Sequence, residues 1–359
     1  MPIITAIIFS TPLTTINICG VMRSPLQIVV VVVAGAFVLS LLMLYYTKKD
    51  EHQENFLYDG AADEKQVNDS FLSFEKRIRE LYDGIQTFVL FIGYGLSGHS
   101  LVAAILDAHP KIVIAHEFDV LRKWNYYKND TWNGKSKLFF DLHSNSRAHA
   151  MFGKRAQFRS VSQTGYAYHV AGQWQGTFQD NIKVTGDKHG DVSSSFLMKH
   201  GFQVLDEIQK VIKVPLKFIH VIRNPFDNIA TKVLKNLDAR DNARDQSFKV
   251  NNSEVLDHYI ASHFKRVESV QRLHQSGSYG ILDVYSSEII SYPRENLRKL
   301  CSFLEVNCDK EYIDTVSAIL YQTSSKTRNS VVWTSEQKAR VEELIQKYPF
   351  LRPFTFYSN

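Results

Sequence analysis

Cysteine is scarce in this 359-residue chain: Cys19, Cys301 and Cys308 are the whole complement. That is too few for a disulfide scaffold, and their positions supply no zinc-ligand spacing, so the sequence points to no metal. Cys301 and Cys308 either form a short bridge or stand as two buried thiols. Long runs of like charge are lacking as well. The 42 Lys and Arg exceed the 37 Asp and Glu by a formal +5, a mild excess without a concentrated basic tract. It suits an anionic small ligand and argues against nucleic acid as a partner. No internal repeat or low-complexity tract interrupts the chain, and 44% hydrophobic content is enough to bury a sizeable core.

One long hydrophobic run is present, near the N-terminus. Ile28 to Tyr46 reads IVVVVVAGAFVLSLLMLYY, without a charge and with a single Ser. At 1.5 Å per residue it reaches about 28 Å, close to the roughly 30 Å of a hydrocarbon core. The run exceeds a signal-peptide core and lacks small residues at its end, so it reads as a retained transmembrane anchor rather than a cleaved leader. This divides the chain into a tail at 1–27, an anchor at 28–46, a polar stem with a leading amphipathic helix at 47–86, and a folded domain at 87–359. Arg23 precedes the run while Lys48 and Lys49 follow it, a bias that by itself favours a cytosolic domain.

Beyond the stem the pattern is α/β. Thr87 to Ile92 is an apolar strand, Gly98 to about Ala108 has helical spacing of Leu101, Val102, Ile105 and Leu106, and Lys111 to Ala115 is a second strand. Between the first strand and the helix lies GYGLSGHS: Gly93, Tyr94, Gly95, Leu96, Ser97, Gly98, His99 and Ser100. It matches the phosphate-loop pattern G-x-x-x-x-G-K-[ST] except that His99 replaces the Lys. A strand-to-helix turn of this kind aims backbone amides and a helix N-terminus at one spot, which favours a phosphate. On its own the loop also reads as a Gly-rich turn. The missing Lys, with no clear strand ending in a magnesium-binding Asp, disfavours an ATP or GTP hydrolase.

A further apolar strand, FIHVI, ends in Arg223-Asn-Pro-Phe-Asp227, with Thr231 eight residues beyond the Arg and inside a helix. Arg223 and Thr231 are placed to grip a second anionic group. The alternative is a strand-end Arg paired with Asp227.

The loop with LDAHP at Leu106 to Pro110, together with VIRNPFDNIAT at Val221 to Thr231, resembles the two signature regions of sulfotransferases that use 3′-phosphoadenosine 5′-phosphosulfate (PAPS). Two later stretches are similar to the same family in order: VYSSEIISYPRENLRKLCSFLEV at Val284 to Val306 and SSKTRNSVVW at Ser324 to Trp333. The resemblance implies a three-layer, P-loop-like α/β fold around a central parallel sheet, with the N-terminal transmembrane helix ahead of it. It also implies transfer of a sulfuryl group from PAPS to a hydroxyl acceptor without a metal. The first loop would hold the 5′-phosphosulfate, and Arg223 with Thr231 the 3′-phosphate. Lys326 and Arg328 would contact the nucleotide from the late loop, with Trp333 near the adenine or in the core.

Glu117, directly after the strand KIVIA, stands where the family's carbohydrate and tyrosyl branches place a catalytic base; the alternative is a solvated Glu at a helix start. His116 is a weaker candidate. His99 is either a donor to a phosphate oxygen or a cap-position residue. The family usually has a cation at the position of Leu96, and Lys188 in VTGDKHGD is its substitute here unless it is a turn residue. Tyr166, Tyr168, Trp174 and Gln175 line an acceptor pocket or belong to the core. The arrangement looks like a single-pass type II Golgi enzyme with a lumenal domain acting on a glycan, with tyrosine or a small alcohol as lesser acceptors. Sequons at Asn68, Asn129 and Asn251 are compatible with a glycoprotein. The competing readings are a P-loop kinase and a catalytically silent nucleotide-binding module.

Overall fold

The computed structural model describes residues 79–358, with 73, 76 and 77, apart from 130–133, 159–167, 246, 321 and 322. The expected tail, anchor and most of the stem lie outside the described residues, as does Tyr166. Among the described residues no helix is long and apolar enough to cross a membrane. The leading helix is helical at each described position from 73 to 83, and Tyr82 is fully buried against the core.

Five parallel strands form one sheet: β1 (Thr87–Gly93), β2 (Ile112–His116), β3 (Val184–Lys188), β4 (Leu216–Ile222) and β5 (Gly280–Tyr285), in the order β2-β3-β1-β4-β5. The central strands β1 and β4 are apolar on both faces. Phe88, Leu90 and Ile92 of β1 belong to one core cluster, and Val89 and Phe91 to the other. Such double-sided strands require helices on both faces, which gives the three layers.

On one face lie α1 (His99–Asp107), α8 (Ser286–Ser291), α9 (Pro293–Phe303) and α10 (Lys310–Ala318), supplying Ile105, Ile289, Leu300 and Ile313. The opposite face is covered by α2 (Val120–Lys128), α3 (Gly134–Met151), α4 (Gly190–His200), α5 (Gln203–Ile212), α6 (Pro225–Asn236), α7 (Ser253–Ser276) and α11 (Ser335–Gln346). Among their core residues are Trp124, Leu142, Leu197, Ile208, Ile229, Ile260 and Val341.

The helix starts are specified locally. Asn224 caps α6 by accepting from the Phe226 amide at 3.0 Å, with Pro225 in the first turn. Asn252 accepts from Val255 N to begin α7. The LDAHP stretch is a structural knot. The buried Asp107 carboxylate accepts from Ile114 N, Ser146 Oγ and Gly176 N and pairs with Arg155. His109 bonds the Asn307 carbonyl at 3.0 Å. Cys301 and Cys308 are joined by a disulfide that ties α9 to the segment leading into α10.

The chain leaves β1 toward β2 on one side and returns to build β4 and β5 on the other. Beside β1 the strand order reverses, so the carboxyl ends of the strands open a crevice there.

Candidate functional site

At that carboxyl edge the chain folds its glycine loop. Gly93 and Gly98 take φ of 128° and 101°, left-handed values that a side chain would resist. Gly98 stands at the N-cap of α1 with no side chain bonding the first-turn amides, so the helix start is left for a ligand. The loop is braced from outside. Gly93 N donates to Ser194 Oγ of α4 at 2.8 Å. The buried Asn228 of α6 donates to Gly95 O and Ser97 Oγ, both at 2.9 Å. Leu96 holds φ of 70°, and its carbonyl accepts from Arg223.

Arg223 follows β4 directly. Its Nη1 reaches Leu96 O at 3.1 Å and Thr231 Oγ1 at 2.9 Å, and its Nη2 reaches Ser325 O and Thr327 Oγ1. One guanidinium therefore joins the glycine loop, α6 and the late loop. The spacing of Arg223 and Thr231 works because β4 ends at the Arg and α6 carries the Thr back beside it.

On the other side of β1, Lys188 ends β3. Its Nζ lies 2.7 Å from Glu117 Oε1 and 3.1 Å from Ser100 Oγ. The Lys188 side chain is 3% exposed and that of Glu117 is 54% exposed. Burial pushes the Lys188 ammonium below its ordinary value, opposed by Glu117. Burial acts to raise Glu117, but the charge and hydrogen bond of Lys188 outweigh it and hold the carboxyl below its usual range.

Glu117 itself sits at φ 56° and Asp119 at φ 70°. Conformations of this kind cost about 1–3 kcal/mol each and persist only where their surroundings enforce them. Asp187 enforces this turn: its buried carboxylate accepts from the amides of Phe118, Asp119 and Val120. Glu117 N also donates to Lys188 O at 3.0 Å.

Along the edge, in the spatial order β2, β3, β1, β4, stand Glu117, Lys188, the loop 93–100 and Arg223. An electron-rich leaving group held on the loop would have the ammonium on one flank, the guanidinium on the other, and a carboxylate facing solvent beside the ammonium. That set suits group transfer between an anionic donor and a protic acceptor.

A family model described as the sulfotransferase family matches residues 89–310, more than half of the chain and all five strands of this edge. The chain belongs to the sulfotransferase family. It is thus an enzyme of sulfuryl transfer. No curated protein sequence matches it. Similar solved structures include the sulfotransferase domain of an olefin synthase from Synechococcus PCC 7002, at 13% identity over 74% of this chain and 94% of that one, with a TM-score of 0.43. Sulfotransferase STF9 from Mycobacterium avium is similar at 11% identity over 79% and 80%, with a TM-score of 0.41. Mouse sulfotransferase SULT7A1 complexed with PAP is similar at 12% over 74% and 84%, with a TM-score of 0.40.

Several expected site residues of this sulfotransferase are placed elsewhere. His99 turns inward, with Nε2 on the Ile92 carbonyl at 3.0 Å and its ring in space left by Gly93 and Gly190. Burial lowers it to about 4, so it is neutral and its donor is spent within the fold. Arg328 is buried too: it pairs with Asp227 at 2.9 Å and donates to the carbonyls of Thr355 and Phe356. It fastens the late loop to α6 through Asp227 and is not presented to a nucleotide. Trp333 is core, edge-on to Phe226 with its Nε1 on Arg328 O. The Tyr94 ring is buried against His263 and His220, so only its backbone faces the loop.

His116 is buried beside His149, and desolvation holds it neutral. Gln175 is structural, donating to the carbonyls of Ala104 and Tyr168 and accepting from Val170 N. Tyr168 packs on the α1 side of the core. Trp174 N bonds Ala108 O, which puts it with Gln175 at the end of α1 remote from the loop and removes both from an acceptor pocket. Lys326 is exposed ahead of the 3-10 turn Thr327–Ser330.

Sequence reasoning missed Asp187 and Asn228. Asn228 lies in the same RNPFDN string as Arg223, three residues before Thr231 and hence on the same helix face. Asp187 immediately precedes Lys188. Nothing in the local pattern signals that either one supports a neighbouring loop.

Proposed function

We propose that this sulfotransferase uses PAPS as donor and a hydroxyl as acceptor, with Glu117 and Lys188 as its catalytic pair. The observation that carries the reading is the 2.7 Å Lys188–Glu117 contact beside the phosphate loop, on a turn held in a strained form by Asp187. The amides of residues 93–100 cradle the 5′-phosphosulfate, while Arg223 and Thr231 exchange their mutual hydrogen bond for the 3′-phosphate. Lys326 covers the nucleotide from the exposed side.

In the transfer, the acceptor oxygen attacks sulfur in line as its proton passes to the Glu117 carboxylate. The bond from sulfur to the phosphate oxygen breaks, and the electron pair leaves with 3′-phosphoadenosine 5′-phosphate. Lys188 and the loop amides stabilise the charge that grows on that phosphate. Lys188 thereby fills the place of the cation missing at Leu96.

The acceptor we favour is a glycan hydroxyl, with the domain on the lumenal side of a Golgi membrane. The charge-free run 28–46 supports an anchor, and the Cys301–Cys308 disulfide supports an oxidising compartment. Asn129 and Asn251 are both exposed and open to glycosylation.

The test is steady-state transfer to a panel of hydroxyl acceptors with Glu117→Gln and Lys188→Ala. Each substitution should lower kcat at least about a hundredfold while bisphosphate affinity changes little. Unchanged kcat in both variants would remove the pair from the mechanism.

A further inference from the structure

Behind the glycine loop, three metal-ligating side chains converge beside β4 and β5. His220 and Asp283 are register partners on the adjacent parallel strands β4 and β5, so their side chains leave the same face of the sheet. His274, in the last turn of α7, reaches the same point. His220 Nδ1 lies 2.8 Å from Asp283 Oδ1, and His274 Nε2 lies 3.3 Å from that oxygen. The three donor atoms all fall within 4.8 Å of one another. His274 Nε2 is buried and aimed into the cluster, where it faces the Asp283 oxygen.

We propose that His220, His274 and Asp283 form a binding site for a divalent metal ion of the zinc class, distinct from the sulfuryl-transfer site. Two imidazoles and a carboxylate are borderline donors that suit zinc, with a water completing a tetrahedron. Zinc bonds of about 2.0–2.2 Å separate tetrahedral ligands by roughly 3.3 Å. The His274–Asp283 separation already has that value, and the His220–Asp283 separation needs to open by about half an ångström.

The surroundings match what a ligating histidine needs. The other nitrogen of His220, Nε2, lies 3.2 Å from the Tyr94 hydroxyl. Metal at Nδ1 therefore requires only the tautomer with hydrogen on Nε2, donated to Tyr94. Phe350 packs its ring against both imidazoles, at 4.9 Å from His220 and 5.3 Å from His274, and shields the bonds from solvent. Access remains through the Asp283 and His274 side chains, 28% and 25% exposed. Residue spacing could not have announced the site, because 54 positions separate His220 from His274 (274 minus 220) and only the fold joins them.

The experiment uses the full chain without a polyhistidine tag, stripped of metal and titrated with zinc and, separately, with cobalt(II). Expected are about one equivalent of zinc retained through gel filtration, visible ligand-field bands with cobalt, and a zinc-dependent rise in unfolding midpoint reversed by a chelator. His274→Ala and Asp283→Asn, each confirmed folded by circular dichroism, should lose all three. Failure of the metal-free wild type to bind either ion overturns the proposal, as does binding that survives in a folded variant.

Discussion

At the scale of single residues, Arg223 holds the site together by bonding Leu96 O, Thr231, Ser325 O and Thr327. In the proposed reading, a 3′-phosphate would compete for the same guanidinium with full negative charge. Hydrogen bonds to charged groups are worth about 1.5–3 kcal/mol. Arg223→Ala should therefore weaken binding of 3′-phosphoadenosine 5′-phosphate by on the order of ten- to a hundredfold. Affinity for adenosine 5′-phosphate, which lacks the 3′ group, should hardly change. Calorimetric titration of both nucleotides measures the difference, and equal losses for the two would place Arg223 in a purely structural part.

The positions of Glu117, Lys188, Arg223 and Thr231 were legible because each follows a strand end directly or sits two helical turns beyond one. The direction of a side chain was not legible. His99 and Arg328 occupy positions from which a ligand contact is expected, but His99 meets a pocket left by two glycines and Arg328 meets a buried Asp227 carboxylate. Both partners come from distant parts of the chain.

At the scale of elements, the strand-loop-helix unit was readable to within a residue or two: β1, α1 and β2 occupy Thr87–Gly93, His99–Asp107 and Ile112–His116. Apolar strands and glycine punctuation suffice for that. The support given by β3 to the Glu117 turn was not readable, because it arises from the pairing His116↔Lys188 that places Asp187 under the turn. The choice between bridge and free thiols at Cys301 and Cys308 also waited for the fold, which brings their Cα atoms to 6.0 Å across the bend between α9 and α10. Closing a loop of this size removes chain entropy worth about 2–3 kcal/mol from the unfolded state. Replacing both cysteines with serine should lower stability by about that amount in a denaturant titration. A change below about 0.5 kcal/mol would show that the bridge adds nothing to the unfolded-state constraint.

At the scale of the whole molecule, the sheet order β2-β3-β1-β4-β5 does the assembling. Residues from 93 to 231 reach one edge because β1 lies between strands whose connections run in opposite directions. Composition alone had indicated a globular chain suited to an anionic ligand, and the excess of five positive charges agrees with an anionic donor. Strand order lay beyond the sequence pattern, since any of several parallel arrangements buries the same apolar strands.

The central claim is that this edge is built for a 3′,5′-bisphosphate nucleotide rather than for a triphosphate with magnesium. Thermal unfolding of the full chain tests it most directly, comparing 3′-phosphoadenosine 5′-phosphate with magnesium-ATP. A ligand at a hundred times its dissociation constant adds about 2.7 kcal/mol of stability, readily seen as a higher midpoint. The account predicts that the bisphosphate raises the midpoint and magnesium-ATP does not. A rise with magnesium-ATP alone would contradict it and turn the loop into that of a kinase.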